Sequence, residues 1–315
     1  MAWSLIFAFP NQTWAAQQNK NIPRVGYLLT GFKLPGDFLL AMKRLGYIEG
    51  QNVGFEYLAA EGTDEKLLGQ ASELVRRKVA AIIAPGASAA LAAKKATTAI
   101  PIVYLGGGDP VELGLVRSLA RPGANVTGVT ELSRELTSKR LELLKETFPK
   151  ISSVAVLART SAPGVAAQIR ELDELASGLA LKLHIAEIRA EGDLQNSLSK
   201  VLSHSPDALI EIPNPVFHAD SSRIASFAAQ HKLPTVFHSR DFVDSGGLMA
   251  YGAAFPELYG RVAVLVDKIL KGAKPGDLPV EQPTKFELVI NLKTARQIGL
   301  TIPPNVLARA DRVIK

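Results

Sequence analysis

The chain has 315 residues, of which 47% are apolar and 21% charged, with a formal net charge of +6 and no cysteine. That length builds two domains with real cores, and the composition is that of a soluble globular protein. Basic residues such as Arg76, Arg77, Lys78, Lys94 and Lys95 sit in amphipathic stretches rather than in a stripe interleaved with aromatics, which argues against nucleic-acid binding. The missing cysteine excludes disulfides, thiolate catalysis, cysteine-based metal sites and lipid attachment through an N-terminal cysteine.

In chain order, Met1–Pro10 is apolar, residues 11–16 end in small side chains, and a polar spacer covers 17–21. This reads as the back half of a secretory signal cleaved near Ala15 or Ala16, although no basic segment precedes it. Export is therefore the expectation. No other stretch reaches the ~18 apolar residues that span a bilayer. Short apolar runs then alternate with helical-period stretches, the pattern of βαβ units on a parallel sheet. Strands are predicted near 24–29, 53–57, 80–84, 101–105 and 126–129, and helices near 36–45, 64–77, 88–97 and 110–120. Later strands fall near 153–157, 182–188, 207–212, 234–238 and 247–250, with helices near 137–148, 163–178, 193–203 and 220–231. The tail gives a helix near 256–271, a proline-rich link, an apolar run 286–292, a short helix near 293–298 and a closing stretch near 304–314.

The pattern occurs twice. Arg24–Gly31 corresponds to Ser153–Thr160, Ala81–Gly86 to Leu209–Asn214, and Ile100–Tyr104 to Leu233–Phe237. A repeat of that length is too long for a solenoid unit. It predicts an α/β fold of two doubly wound parallel-sheet lobes with a cleft between them. The hinge strands are expected at Asn125–Val129 and Gly246–Gly252. Lobe one is assigned to 22–128 plus about 253–283, and lobe two to 129–252 plus about 284–315.

Ligands of doubly wound sheets sit beyond the carboxyl ends of the strands. That rule selects Thr30, Gly31, Phe32, Gly86–Ser88, Gly107, Gly108, Asp109 and Thr127 in the first half. In the second it selects Arg159, Thr160, Ser161, Asn214, Asp241 and Tyr251. Rich in hydroxyls and glycine, the set suits hydrogen bonding of a small polar solute better than acid–base turnover. Ser88 opens an alanine-rich helix and is read as its N-cap, with or without an anion at the helix N-terminus. Asp109, followed by Pro110 and Glu112, reads as a capping box first and a ligand contact second. Asn214, between two prolines, is a turn residue or a contact. Asp241 suits a ligand ammonium or an arginine partner, and Arg159 a ligand carboxylate. Phe32, Tyr104, Phe217 and Tyr251 are candidates for an apolar wall or for ordinary core. None of the five histidines forms a zinc pair, and no nucleophile elbow or phosphate loop is present. No cofactor and no catalytic residue are expected.

At several stretches the chain resembles the substrate-binding proteins of ABC transporters, of the group that includes tryptophan- and tyrosine-binding members. These are Leu45–Val53 (LGYIEGQNV), Gly108–Val111 with Leu115 and Val116, Leu119–Val129 (LARPGANVTGV) and Gly246–Gly252 (GGLMAYG). Val280–Ala295, Gly299–Pro304 and Leu307–Ile314 complete the match. The resemblance implies a type I periplasmic-binding-protein fold, delivering a small amino-acid-like solute to a membrane permease and its ATPase. Aromatic amino acids are the first guess. Ser88 and Thr127 fall where members offer hydroxyls to a ligand carboxylate. Asn214 falls where many members carry aspartate and Asp241 where glutamate is common, departures that weaken an ammonium-binding role at position 214. With no lipidation cysteine, a free periplasmic protein is implied. The alternatives are a sensor of the same fold acting on a receptor, and a cytosolic regulator or enzyme on the same scaffold.

Overall fold

The computed structural model describes residues 22–29, 36–59, 64–188 and 193–315; the expected signal segment at 1–21 and the site candidates Thr30, Gly31 and Phe32 lie outside the described residues. The first elements are β1 (Arg24–Leu29), α1 (Gly36–Arg44), β2 (Gly54–Ala59), α2 (Asp64–Arg76), β3 (Ala81–Pro85), α3 (Ala87–Ala96), β4 (Ile102–Gly106) and β5 (Val126–Thr130). The strands run parallel in the order β2-β1-β3-β4-β5. Successive side chains enter opposite cores, which is why the runs are apolar without alternation. Ala81 and Ile83 join the core of Phe38 and Met42 from α1, while Ile82 and Ala84 join that of Leu67, Leu74 and Ala90 from α2 and α3.

The second lobe comprises α4 (Ser133–Thr147), β6 (Ser153–Ala158), α5 (Val165–Gly178), β7 (Lys182–Glu187), α6 (Leu194–Leu202), β8 (Ala208–Glu211), α7 (Pro215–Ala219), α8 (Ser221–Gln230), β9 (Val236–Phe237), α9 (Arg240–Asp244) and β10 (Met249–Ala253). The same logic holds. Val154 and Val156 face Leu144 and Leu172, whereas Ala155 and Leu157 face Leu198 and Phe217. Strands β7-β6-β8 continue into β9 and β10 through a bridge between Leu209 and Thr235.

The chain then returns to lobe one with α10 (Phe255–Leu270), whose Leu258, Val262, Ala263 and Val266 complete the core beneath α1. After a 3-10 turn at Pro275–Asp277, Glu281 exchanges main-chain bonds with Gly128 and Thr130 at the β5 edge. A final crossing leads to β11 (Phe286–Asn291), α11 (Leu292–Gln297), α12 (Pro304–Leu307) and β12 (Arg312–Ile314) on lobe two. β11 runs antiparallel to β10 and parallel to β12, the exception in otherwise parallel sheets. The lobes are thus joined by three passages: Glu131–Leu132, Ala254 and the segment before Phe286. The expected border at 128 falls inside β5, which continues to Thr130.

The predicted helix at 110–120 is a correction. Asp109 starts a single turn in which the Leu115 N–H reaches the Pro110 carbonyl at 2.8 Å, and Gly114, at φ +65°, bends the chain out of it. The short helices α7 and α9 were too brief for periodicity to reveal.

A candidate ligand cavity between the lobes

A cavity of about 230 Å³ lies between the carboxyl ends of β3, β4 and β5 on one side and of β6, β8 and β9 on the other. The lobes meet around it. A methyl group on Gly86 of lobe one would sit 3.1 Å from Pro215 Cγ of lobe two. Across the rim Arg134 of α4 donates to both carboxylate oxygens of Glu112, at 3.1 and 2.9 Å, and its Nε lies 3.1 Å from Glu171 of α5.

Lobe one contributes main chain. Gly86, at φ +83°, is the N-cap of α3, so the helix begins at Ala87. Ser88 is therefore its second residue and not the cap, a correction that leaves its half-buried hydroxyl on the cavity wall. First-turn N–H groups have no partner inside a helix, so this end of α3 presents donors and a positive dipole. The glycine loop Gly106–Gly108 is pinned by the buried Tyr104, whose hydroxyl accepts from the Gly108 N–H and donates to the Gly108 carbonyl, both at 3.1 Å. A side chain at Gly107 would collide with Ser133 of α4, 2.3 Å from its Cβ, so glycine here lets the loop approach the hinge.

The aromatic wall comes from Tyr27, Phe255 and Tyr259, with His218 beside Phe255 at 5.2 Å between ring centroids. Phe255 and Tyr259 are four apart on α10, with centroids 6.1 Å apart. Burial holds both tyrosine hydroxyls well above their ordinary pKa.

Behind the cavity wall, His238 and His218 contact a layer of charged groups that do not themselves line it. Glu211 is fully buried, and its Oε1 accepts from the His238 main-chain N–H at 3.0 Å and lies 2.7 Å from His238 Nδ1. Burial raises its pKa, but His238 and Arg140 outweigh this and hold the carboxyl below its usual range. Arg140, 1% exposed, donates to the Tyr251 carbonyl at 3.1 Å and to Thr137 Oγ1 at 2.6 Å. Burial pulls its pKa down to about 10 against Glu211 and Glu131. Asp241, half exposed, lies 3.1 Å from His218 Nε2, and that hydrogen bond keeps its carboxyl below its usual range against partial desolvation.

Of the sequence candidates, Ser88, Gly108, Asp109, Arg159 and Asn214 line this cavity. Asp109 also caps its turn, accepting from the N–H groups of Val111 at 2.7 Å and Glu112 at 3.2 Å. Asn214 caps α7, accepting from Val216 N–H at 3.1 Å. Gly86, Ala87 and Gly107 line the cavity as well, whereas Thr127, Thr160, Asp241 and Tyr251 do not. Thr127 is fully buried and donates to the Leu278 carbonyl at 2.8 Å, holding the returning chain on β5. Thr160 bonds the Glu187 carboxylate, Asp241 stands behind His218, and the Tyr251 ring packs 6.5 Å from that of Phe286 at the hinge. Phe217 is core. Glu131, His218, His238 and the α10 aromatics were missed. Glu131 and His238 follow strand ends, so the rule that selected Gly86 reaches them when β5 and β9 are followed one residue further.

The family model for ABC transporter substrate-binding proteins matches residues 34–314. The chain belongs to this family. It is 27% identical over 263 residues to a tyrosine-binding protein of Clostridioides difficile, covering 84% of this chain and 75% of that one. A conserved domain protein from Vibrio cholerae superposes with a TM-score of 0.83 at 27% identity, covering 92% of this chain and 99% of that one. A Streptococcus pneumoniae ABC domain solved in complex with L-Trp superposes at 0.81, with 24% identity over 93% of this chain and all of that one. The fold is the type I periplasmic-binding-protein fold, and the family is one of solute carriers for ABC importers rather than of enzymes.

Proposed function

We propose that the chain captures a small amino acid, aromatic by first choice, in the inter-lobe cavity and presents its closed form to a membrane permease with its ATPase. The observation that carries this reading is a chamber whose walls come from both lobes, with donors on one side and aromatic rings on another. Ser88 and the N–H groups opening α3 suit a carboxylate. Arg159 and Asn214 face it from lobe two, with Gly108 and Asp109 beside them. Tyr27, Phe255 and Tyr259 suit a ring, which agrees with what the Clostridioides relative and the pneumococcal domain are named for binding. The importer role supports work outside the cytoplasm.

The test is calorimetry of the purified protein against the standard amino acids, with mass spectrometry of any solute that co-purifies. An aromatic amino acid is expected to bind, and Ser88→Ala to weaken it by about 1–3 kcal/mol. Unchanged affinity in that variant removes Ser88 from the site. Binding of sugars or inorganic anions in place of amino acids rejects the ligand class.

A further inference from the structure

Among the described residues, the cavity wall carries three carboxylates: Asp109, Glu112 and Glu131. Two are engaged, Asp109 by the N–H groups of its own turn and Glu112 by Arg134. Glu131 accepts no hydrogen bond from the described residues, yet it is the most constrained of the three. Its N–H donates to the Gly106 carbonyl at 2.9 Å, which fixes it to the exit of β4. The next residue, Leu132, sits at φ +49°, a left-handed conformation uncommon for leucine, and turns the chain directly into α4. Glu131 therefore stands where lobe one passes into lobe two, at the deep end of the cavity. There it shares a small recess with Arg140, His238 and Phe255.

The cations around it face other partners. Arg140 on α4 donates to Tyr251 and Thr137, His238 after β9 serves Glu211 on β8, and His218 on α7 lies against Asp241. Glu131 lines the cavity, so a bound solute that fills it comes against this side chain. A neutral occupant would leave a desolvated charge without a partner, whereas a cationic one neutralises it.

We propose that Glu131 is the counter-ion of a basic nitrogen on the ligand, so that the site ranks amine-bearing solutes above their deaminated analogues. This deepens the amino-acid reading and rests on it. It moves the ammonium contact from Asp241, which His218 already holds, to a hinge residue. Burial keeps the Glu131 carboxyl above its usual pKa even with His238, His218 and Arg140 pulling it down, while Glu211 pushes it up.

The experiment compares wild type, Glu131→Gln and Glu131→Asp by calorimetry and thermal shift. The probes are L-phenylalanine, L-tyrosine and L-tryptophan, and the matching acids without the amine, 3-phenylpropionate, 3-(4-hydroxyphenyl)propionate and indole-3-propionate. The wild type is expected to prefer the amino acid, and Glu131→Gln to lose roughly 10- to 100-fold on it while changing the deaminated acid less than about threefold. Glu131→Asp recovers part of the loss. Equal losses on both probes assign Glu131 a structural role and overturn the proposal, as does an unchanged Glu131→Gln; either leaves amino-acid capture standing. Deaminated acids binding the wild type as well as the amino acids overturns the proposal as well. If none of these probes binds the wild type, the amino-acid reading and the counter-ion role fall together.

Discussion

At the scale of single residues, two buried acids at and behind the cavity wall have pKa values moved in opposite directions. Glu131 has a folded-state pKa above its unfolded one, so it favours the fold at pH below the unfolded value and loses that contribution as pH rises through the folded value. Above the unfolded value the raised pKa therefore works against folding of the ligand-free protein. Glu131→Gln is expected to raise the melting temperature of the empty protein at pH 7–8 by about 2 °C or more, a gain that vanishes near pH 4. Calorimetric scans across pH check this, and a lower melting temperature at pH 8 contradicts it. Glu211 behaves oppositely. Its pKa is lowered, so its contribution is present above the unfolded value and lost as pH falls through the folded one. Glu211→Ala leaves His238 facing an unpaired void and should cost about 3–5 kcal/mol in urea unfolding at pH 7. The strand-end rule reaches the position of Glu131 when β5 is followed to its end, but the role of either acid was not legible, because a glutamate at a strand end looks the same whether it faces bulk water, a histidine or a cavity. Ser88, Arg159 and Asn214 were legible because the strand-end rule is geometric and needs no knowledge of partners.

At the scale of elements, the strands and long helices were legible because each is buried by a simple period. α10 and β11 were found for the same reason, though their lobes are set by long-range packing. What escaped depends on single backbone events. The expected helix at 110–120 is ended by one glycine at positive φ, and α7 and α9 are five residues each, held by the side-chain caps Asn214 and Ser239. Close approach is another such event. A methyl group on Gly252 would lie 1.9 Å from the His238 carbonyl oxygen, where β10 passes the end of β9. Gly252→Ala is expected to force these strands apart and cost roughly 1–3 kcal/mol, seen as a lower urea midpoint. The displacement would carry His238 with it, so weaker ligand binding should accompany the lower midpoint.

At the scale of the molecule, both lobes contribute walls to one cavity and touch at its rim. A ligand moves an open–shut equilibrium only through its different affinity for the two states, and going from 1:99 to 99:1 takes about 5.5 kcal/mol. Walls from both lobes supply such a difference because their contacts to the solute coexist only when shut. Small-angle scattering should therefore record a smaller radius of gyration after ligand is added; an unchanged profile argues against closure. The pair between Glu112, 59% exposed, and Arg134, 30% exposed, adds to the shut state but weakly. Glu112→Gln should lower affinity by less than about fivefold, with the difference shrinking in high salt. The returning chain has a further consequence for biosynthesis. The lower face of the first sheet waits for Leu258, Val262 and Val266, made long after β5 has left the ribosome. At about 5–20 residues per second, the nascent amino-terminal portion stays half-clad for roughly ten seconds or more. A message truncated ahead of Phe255 would yield a product with apolar strands uncovered, and such a fragment should be degraded or aggregate instead of accumulating as a small stable module.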